Sequence, residues 1–336
     1  MNHPKHFWMF KNIILKFDEQ NIKYKVFVSS KDVLHNLLEN YGISYTLLGS
    51  NKPKIYVKLV QFVWYSIKML YFILIYNPKI LIGQALPHFA ISSFFAKEAK
   101  FLILEDTEHV STLHKYTVPF CDVIYTPLMF PDKFGNKQRK INSFFELLYL
   151  HPDNFKPDIQ KLEKYGITKL TNYIVIRLVS WEAHHDKGSR GISDQFLSKI
   201  ISYLEEHNIQ VYISAEGKIN NVFKKYKIDI NPVEIHDLLY YSKMYLGEGA
   251  TMAAEASLLG TNSIYVNPLN TSFCKELSKS FGLMYNFRSV AGVFPTIKKI
   301  INDPISKNEK SFKLKQLLDR KVNPLPYFYK EITDFL

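Results

Sequence analysis

The stretch GEGATMAAEASLLGTNSIYVNP, residues 247–268, has the pattern of a strand end, a glycine turn, a helix, a second glycine turn and a buried strand. Gly260 is expected to end the helix, because glycine readily adopts the left-handed conformation found there. Free N–H groups at the helix start attract anions such as phosphate. Gly247 and Gly249 are expected to allow a tight turn and a close approach to a ligand. The stretch therefore predicts a parallel α/β sheet with a phosphate site.

Short buried strands alternate with helical patterns along most of the chain. In the first half the predicted strands are Tyr24–Ser29, Ser44–Leu48, Ile80–Gly83, Phe101–Leu104 and Val123–Thr126. In the second half they are Tyr173–Leu178, Gln210–Ser214, Tyr245–Gly247 and Ser263–Val266. Such alternation is typical of parallel sheets with helices on both faces. We predict an α/β protein with two doubly wound, Rossmann-like domains that face a cleft.

The alternation is interrupted over residues 131–170, which contain a basic cluster at residues 137–140. A chain of 336 residues is too long for one ordinary domain and long enough to form two. We place the domain boundary in this interval, with one domain at residues 1–155 and the other at 156–323. A doubly wound domain normally opens with a strand, but this chain enters a helix directly after HPKH. Either translation starts upstream, or the first strand of the N-terminal domain is missing.

Composition limits the partners and the compartment. The net charge of +12 favours an anionic partner, although the abundance of lysine also fits a compositional bias. The basic residues do not cluster with aromatic ones in a nucleic-acid module, so we expect no nucleic acid partner. Two distant cysteines give no disulfide framework or zinc site, and there is no signal-peptide pattern. A cytoplasmic protein fits these features.

Residues 55–76 are long and rich in aromatic side chains, but Lys58, Gln61 and Lys68 interrupt them. Because a clean membrane span tolerates few charges, we predict an amphipathic helix packed on a sheet. The alternative is a helix that lies on an anionic leaflet, with residues 52–79 making peripheral membrane contact at the inner face of the membrane.

The helix in the first stretch carries two polar residues one turn apart, Thr251 and Glu255. A carboxylate can accept hydrogen bonds from two adjacent ribose hydroxyls, so we predict a phosphate-plus-ribose site. The alternative is that these residues only serve sheet packing, since any doubly wound sheet needs glycine turns.

The segment RLVSWEAHHDKGSRGIS, residues 177–193, follows the first strand of the second half. Loops at this position meet the ligand in doubly wound domains, and Arg177 or Arg190 is suited to clamp a diphosphate. The alternatives are a metal site at residues 184–186 and a solvated loop. The candidate substrate-binding residues of this segment are Arg177, Trp181, His184, His185, Asp186, Lys187 and Arg190.

Acidic and imidazole groups crowd the segment EDTEHV, residues 105–110, after another strand. Crowded carboxylates raise one another's pKa, as acid/base catalysis needs. The alternative is that the segment begins a helix. Asp106 or Thr107 would then cap the amino terminus of the helix, and Glu108 would complement its dipole. The candidate catalytic residues are His6, Asp106, Glu108 and His109. Glu216 and His236 lie at element ends on the same side and are candidate substrate-binding residues.

These motifs together resemble an uncharacterised prokaryotic domain-of-unknown-function family of the GT-B superfamily. That superfamily holds nucleotide-sugar glycosyltransferases and UDP-N-acetylglucosamine 2-epimerases. The resemblance is carried, in order along nearly the whole chain, by HPKHFWMFK (3–11), EDTEH (105–109), LLYLHP (147–152), RLVSWEAHHDKGSRG (177–191) and GEGATMAAEASLLGTNSI (247–264). Glu105 and Asn262 depart from the usual Asp and Pro of these motifs.

The resemblance has consequences for the site. Residues 247–268 are also similar to a stretch of the peptidoglycan-precursor N-acetylglucosaminyltransferase, which implies that Gly249, Ala250 and Thr251 approach a diphosphate and Glu255 holds the ribose. Because GT-B enzymes usually need no bound metal, no metal and no cofactor are expected. The last helix of such proteins often crosses back to the first domain, a role implied here for residues 324–336.

The resemblance and the motifs together predict a GT-B glycosyltransferase. It would use a nucleotide-diphosphate sugar donor and a glycan or lipid-linked acceptor, in surface polysaccharide or glycolipid synthesis. Residues 156–323 would bind the nucleotide sugar, with Gly247, Gly249, Ala250, Thr251 and Glu255 among the binding residues, and residues 1–155 would be the acceptor-side domain. The alternatives are a UDP-sugar 2-epimerase-like enzyme and a non-catalytic nucleotide-sugar-binding protein.

Overall fold

The structure, a computed structural model, describes the chain except for residues 31, 51–54, 97, 109, 180–190, 216, 218, 270 and 304–305. At residues 30, 32, 50, 55, 56, 58, 59, 306 and 307 only the backbone is described. The chain forms two compact units. The first unit is Met1–Asn154 together with Lys321–Leu336, and the second unit is Phe155–Arg320.

The first unit contains two parallel sheets. Its strands are β1 (Val26–Ser30), β2 (Tyr45–Ser50), β3 (Ile80–Gly83), β4 (Lys100–Leu104), β5 (Val123–Pro127) and β6 (Gln138–Ile141). Strands β1 and β2 form one sheet, and the other has the order β3-β4-β5-β6. All of these strand pairs are parallel, as the alternation of strands and helices predicted.

Helices cover both sheets of the first unit. They are α1 (Pro4–Glu19), α2 (Asp32–Asn40), α3 (Ile55–Tyr76), α4 (Pro87–Ser93), α5 (Ser111–Thr117) and α6 (Leu147–Leu150). Helix α1 begins at Pro4 because the imidazole of His3 caps it, accepting a hydrogen bond from the Lys5 amide at 3.1 Å. Within the described part of the chain, no helix combines the length and apolarity needed to cross a membrane.

Strand β6 was not predicted from the sequence. Its residues include most of the basic cluster at 137–140, and the side chains of Arg139 and Lys140 are exposed. The strand lies at the edge of its sheet, paired only with β5 among the described strands. Charged side chains on an edge strand discourage pairing with other chains. The basic cluster therefore belongs to an edge strand of the first unit.

The second unit has one parallel sheet of five strands in the order β11-β10-β9-β7-β8. The strands are β7 (Tyr173–Leu178), β8 (Gln210–Ala215), β9 (Met244–Gly247), β10 (Asn262–Val266) and β11 (Met284–Phe287). The central strands are buried on both faces, and side chains such as Ile174, Leu246 and Ile264 form the core. Strand β11 was not predicted.

The helices of the second unit are α7 (Gln160–Glu163), α8 (Asp194–Glu206), α9 (Ile235–Tyr241), α10 (Ala250–Leu258), α11 (Ser272–Lys275), α12 (Val293–Asn302) and α13 (Ser306–Leu318). The predicted helix at 232–241 begins as a 3₁₀ turn at Pro232–Glu234 and becomes α-helical at Ile235. Gly260 has a φ of +77° just after α10, in the left-handed conformation expected at a helix end.

The last helix, α14 (Pro324–Thr333), is part of the first unit. Its Phe328 side chain is buried, with ring centroids 5.1 Å from Tyr125 and 5.7 Å from Phe145. The first unit is therefore built from two separate segments of the sequence.

Candidate functional site

In the second unit, strands β7 and β9 are neighbours, and Arg177 near the end of β7 lies opposite Gly247 at the end of β9. From these two strands the sheet continues in opposite directions, to β8 beside β7 and to β10 beside β9. In open α/β sheets, ligands bind at the carboxyl ends of strands where the strand order reverses in this way. The two predicted binding segments therefore start side by side at a topological switch point.

The two glycines of this turn have different roles. A Cβ atom on Gly247 would lie 2.2 Å from Oη of the buried Tyr245, so only glycine fits there without a shift of the Tyr245 side chain or of the strand. Gly249 has a φ of −91°, which any residue adopts, and among the described residues a Cβ there would contact only Val179 Cγ1, at 3.6 Å. The predicted tight turn therefore does not require the conformational freedom of glycine at Gly249.

The amino end of α10 carries no side-chain cap. Gly249 is the N-cap residue and has no side chain, so it offers no acceptor to the first N–H groups of the helix. Ala250 and Thr251 form the first turn and are only partly buried. Uncapped N–H groups with a positive helix end attract anions. The approach of Gly249, Ala250 and Thr251 to a phosphate stays a prediction.

Glu248, between the two glycines, was missed by the sequence analysis. Its carboxylate is buried and accepts hydrogen bonds from the amides of Val179 at 3.0 Å and Ile192 at 2.6 Å. These two residues flank the segment 180–190. Glu248 therefore ties both ends of that segment to the turn after β9. The signal in the sequence was an acidic residue at the end of a buried strand, enclosed by glycines.

Arg177 is the one described member of the candidate set in the 177–193 segment. Its Nη1 donates a hydrogen bond to Ser214 Oγ at 2.6 Å, which holds the guanidinium group near the ends of β7 and β8. The other candidates there lie outside the described residues: Trp181, His184, His185, Asp186, Lys187 and Arg190. The same is true of Glu216 and His109.

Two predicted substrate-binding residues are brought together in the second unit. His236 Nε2 in α9 lies 3.3 Å from Glu255 Oε1 in α10, and both side chains are buried. The ring of Phe155 packs edge-on against the imidazole at a centroid distance of 6.1 Å. Glu255 is thus a buried carboxylate that lies beside a buried histidine.

In the first unit, four charged side chains converge near the carboxyl end of β4. Lys5 Nζ donates to Asp106 Oδ2 at 2.5 Å and to Glu146 Oε1 at 2.8 Å. All three side chains are buried, and Glu105 is buried next to Asp106 in the chain. Lys5 and Glu146 were not predicted as site residues, although Lys5 lies in the HPKH motif and Glu146 directly precedes LLYLHP.

Charge and burial set the protonation of this cluster. Burial raises the pKa of Asp106 to about 6, opposed by Lys5 and reinforced by the carboxylates of Glu146 and Glu105. Burial alone lowers the pKa of Lys5, but the attraction of Asp106 and Glu146 outweighs it, so Lys5 stays charged. Asp106 Oδ1 is buried and has no hydrogen-bond partner within the described part of the chain. Asp106 therefore has a free acceptor atom and a pKa near neutrality.

Glu105 has a different role from Asp106. Its carboxylate accepts hydrogen bonds from the amides of Thr107 at 2.7 Å and Ala85 at 3.3 Å. His114 Nε2 lies 3.7 Å from Glu105, and its Nδ1 lies 3.4 Å from Asp132. Burial lowers the pKa of His114, but the two carboxylates outweigh it and raise the pKa above its ordinary value. Glu105 therefore fixes the loop after β4, and His114 is a member of this cluster that the sequence did not reveal.

The remaining predicted catalytic residues are His6 and Glu108. His6 is buried in the first turn of α1, and its Nδ1 accepts a hydrogen bond from the Asn2 amide at 3.3 Å. Burial holds the pKa of His6 well below its usual value, so the imidazole is neutral at pH 7. Glu108 is partly buried in the loop after β4. Among the described residues, no group of three or more His, Cys, Asp or Glu side chains is arranged to bind a metal ion.

Comparison with solved structures defines the class of this fold. A UDP-GlcNAc 2-epimerase from Neisseria meningitidis bound to UDP-GlcNAc has a TM-score of 0.68 at 14% identity, over 99% of this chain and 97% of that one. HepE from Anabaena, in complex with UDP and glucose, has a TM-score of 0.64 at 12% identity, over 99% and 95%. MurG from Acinetobacter baumannii has a TM-score of 0.55 at 10% identity, over 98% and 96%. The protein has the fold of the GT-B superfamily.

Sequence comparison places the chain in a family. It belongs to the family described as "Protein of unknown function (DUF354)", whose model matches residues 1–324. This confirms the resemblance to an uncharacterised family, and the solved structures show that the chain has the GT-B fold. The comparison with curated protein sequences gives no match.

Proposed function

We propose that the second unit binds a nucleotide-diphosphate sugar and that the protein is a glycosyltransferase, which transfers the sugar to a hydroxyl group of a glycan or lipid-linked acceptor. The observation that carries the proposal is the switch point between β7 and β9, where an uncapped helix start and an arginine lie at neighbouring strand ends. In the solved structures of this fold cited above, the Neisseria epimerase is bound to UDP-GlcNAc and HepE to UDP.

The diphosphate is assigned to the amino end of α10. Its N–H groups and the guanidinium of Arg177 would share the negative charge that grows as the sugar–phosphate bond breaks. The ribose is assigned to Glu255, because its carboxylate can accept hydrogen bonds from two hydroxyls and lies 3.3 Å from His236. No metal or cofactor enters this proposal.

Asp106 is the proposed base. Its free Oδ1 would accept the proton of the acceptor hydroxyl, while that oxygen bonds to the anomeric carbon of the sugar. The bond from the anomeric carbon to the phosphate oxygen breaks at the same centre, and its electrons leave with the nucleoside diphosphate. Lys5, which donates to the other oxygen of Asp106, would hold the carboxylate in a fixed orientation.

A second candidate function is a UDP-sugar 2-epimerase-like reaction. It is favoured by the carboxylates gathered near Lys5, since epimerisation needs groups that remove and return a proton on the sugar itself. Solved epimerases share the fold, as does the Neisseria enzyme cited above.

One experiment separates these functions. The purified protein is incubated with a panel of nucleotide sugars, with and without glycan and lipid-linked acceptors, and the products are analysed by mass spectrometry and NMR. Free nucleoside diphosphate that appears only with an acceptor supports transfer, and a sugar with altered configuration supports epimerisation. A thermal shift without turnover supports a non-catalytic binder. The absence of any shift with every nucleotide sugar contradicts all three.

Peripheral membrane contact through residues 52–79 is part of the same proposal, since a lipid-linked acceptor lies in a membrane. Helix α3 exposes large apolar side chains: Val60, Val63, Trp64, Ile67, Tyr71 and Leu74. Flotation with vesicles that contain anionic lipid tests this contact. The double variant Trp64→Ser/Leu74→Ser is expected to lose flotation, and an unchanged flotation of the variant contradicts the role of α3.

A further inference from the structure

Glu146 is a charged residue in a segment that is otherwise uncharged and buried. Every residue from Phe144 to Leu150 is buried, and Glu146, directly before α6, is 1% exposed. A carboxylate is almost never buried to this extent without a partner. In the described part of the chain its cationic partner is Lys5, whose Nζ lies 2.8 Å from Oε1. Since a buried ion pair adds little net stability, this pair points to a role other than holding the fold together.

Two contacts pack helix α1, which carries Lys5, against α6. Asn12 Nδ2 donates a hydrogen bond to the Leu148 carbonyl at 2.8 Å, and the rings of Trp8 and Tyr149 stack with centroids 5.9 Å apart. Neither contact involves the loop after β4. The position of the ion pair between α1 and the start of α6 therefore does not depend on the charge of the residues that follow β4.

Lys5 has two carboxylates within hydrogen-bonding distance of its Nζ, Asp106 Oδ2 at 2.5 Å and Glu146 Oε1 at 2.8 Å. When Asp106 accepts a proton, it becomes neutral and no longer balances the ammonium charge. A buried charge without an ionised partner is strongly unfavourable. Glu146 prevents that state, because its carboxylate remains beside Lys5 after the proton has moved. Proton uptake by Asp106 then leaves a balanced ion pair behind.

Charged groups act on Asp106 from each neighbouring element. Lys5 reaches it from α1 and Glu146 from the start of α6, while Glu105 precedes it in the chain and is itself 3.7 Å from His114 of α5. Burial raises the pKa of Asp106 to about 6, Lys5 opposes this rise, and the negative charges of Glu146 and Glu105 reinforce it. The charge of Glu146 therefore acts in the direction that keeps Asp106 basic enough to take a proton near neutral pH.

We propose that Glu146 is a positioning residue for the transfer reaction, the counter-ion that keeps Lys5 paired while Asp106 changes between its charged and neutral forms. Glu146 acts through Lys5 and does not contact the substrate. During transfer, the proton of the acceptor hydroxyl moves to Asp106 Oδ1, and Lys5 keeps all of its protons. The role of Asp106 as the base rests on the proposed function, whereas the effect of Glu146 on Asp106 is a property of the ligand-free protein.

The test is a pH titration of the ligand-free protein by NMR, with isotope-labelled aspartate carboxyl carbons and Asp106→Asn to identify the signal of Asp106. Glu146→Gln keeps the shape of the side chain but removes its charge, so that Lys5 is then balanced by Asp106 alone. The pKa of Asp106 is expected to fall by about one pH unit or more. Glu146→Asp retains the charge and is expected to restore most of the pKa of the unaltered protein.

Glu19→Gln is the matched control, because it removes the same charge from an exposed position of α1. The pKa of Asp106 is expected to stay unchanged in this variant. Lys5→Met/Glu146→Gln removes both members of the ion pair. The pKa of Asp106 is then expected to rise above that of the unaltered protein, since its burial and the charge of Glu105 remain. A purely structural role of Glu146 predicts no such opposite shifts.

Turnover gives a second readout. In Glu146→Gln the acid limb of the pH–rate profile is expected to move to lower pH by the same amount as the titration of Asp106. The plateau rate is expected to fall by about three- to tenfold, because a weaker base takes the proton less readily. The KM for the donor is expected to stay unchanged. If no nucleotide sugar is turned over, the proposed function fails, and the NMR titration still decides the effect of Glu146 on Asp106.

An unchanged pKa of Asp106 in Glu146→Gln overturns the proposal, as does an equal loss of turnover and donor affinity. If Glu146→Gln does not fold, the unaltered protein with labelled aspartate and glutamate carboxyl carbons decides. The Glu146 signal is then expected to show no change over the pH range in which Asp106 titrates. A joint titration of the two carboxyl groups overturns the proposal.

Discussion

Asp106 combines three properties of a general base: burial, an acceptor atom without a described partner, and a pKa raised to about 6. A base acts in its ionised form, so activity is expected to rise as the pH increases through about 6 and to level off above it. Asp106→Asn is expected to lower turnover by roughly 10²–10⁴-fold, because the amide cannot take the proton. The measurement is the pH–rate profile together with donor affinity.

Asp229→Asn is the matched control for this prediction, since Asp229 is 92% exposed at its side chain and pairs only with the surface residue Lys227 among the described residues. Its turnover is expected to equal that of the unaltered protein. An equal loss of turnover and donor affinity in Asp106→Asn would show that Asp106 has a structural role instead.

Glu255 is the residue assigned to the ribose. Glu255→Gln keeps the size of the side chain but weakens its hydrogen bonds to hydroxyls, so nucleoside diphosphate affinity is expected to fall by about 1–3 kcal/mol. Isothermal titration calorimetry measures this change, with the exposed Glu163→Gln as the control. An unchanged affinity in Glu255→Gln would show that the carboxylate does not bind the ribose and only pairs with His236.

The sequence predicted Asp106, Glu255 and His236 as candidate site residues, because polar groups at strand ends and helix starts stand out in an apolar pattern. It did not predict the partners of Asp106. Lys5 and Glu146 are separated from each other by 141 residues and reach the same place only through the tertiary fold. Long-range pairings of this kind leave no local pattern in a single sequence.

At the level of elements, the turn after β9 gives a test with a built-in control. Gly247→Ala places a methyl group 2.2 Å from Tyr245 Oη, so the buried Tyr245 side chain or the strand must shift and the free energy of unfolding is expected to fall by about 1–3 kcal/mol. The methyl group of Gly249→Ala would contact Val179 at 3.6 Å and no other residue in the described part of the chain, so stability is expected to change by less than about 0.5 kcal/mol. Urea denaturation measures both, and a similar loss in both variants would contradict the packing role of Gly247.

Most strands were predicted to within about two residues, since short apolar runs bounded by polar or glycine residues mark buried parallel strands. Strands β6 and β11 were missed for a physical reason. Both lie at sheet edges and are only partly buried, so their sequences, QRKI and MYNF, lack the continuous apolar run of a central strand. Among the described strands β1 pairs only with β2, and no local pattern in the sequence predicts this pairing.

At the level of the whole molecule, α14 makes the first unit depend on the end of the chain. Phe328→Ala removes a buried ring from contact with Tyr125 and Phe145, and the first unit is expected to lose about 3–5 kcal/mol of stability. Hydrogen exchange is the measurement, because it reports each unit separately. Amides of β4 and β5 should lose protection, while those of β7 and β9 should keep theirs.

Tyr327→Ala is the neighbouring control, since Tyr327 is 39% exposed whereas Phe328 is buried, and its effect is expected to be smaller. Equal loss of protection in both units after Phe328→Ala would show that they unfold together and not independently.

The first unit is built from two separate segments of the chain, and this determines the order in which the two units fold during translation. All of Phe155–Arg320 is synthesised before α14, so folding of the second unit does not depend on the segment that completes the first unit. The nascent sheet that receives Leu325, Phe328 and Ile332 stays uncovered during that time, exposed to chaperones and to other nascent chains. The first unit therefore begins to be synthesised before the second unit but completes its fold last, when α14 has been made.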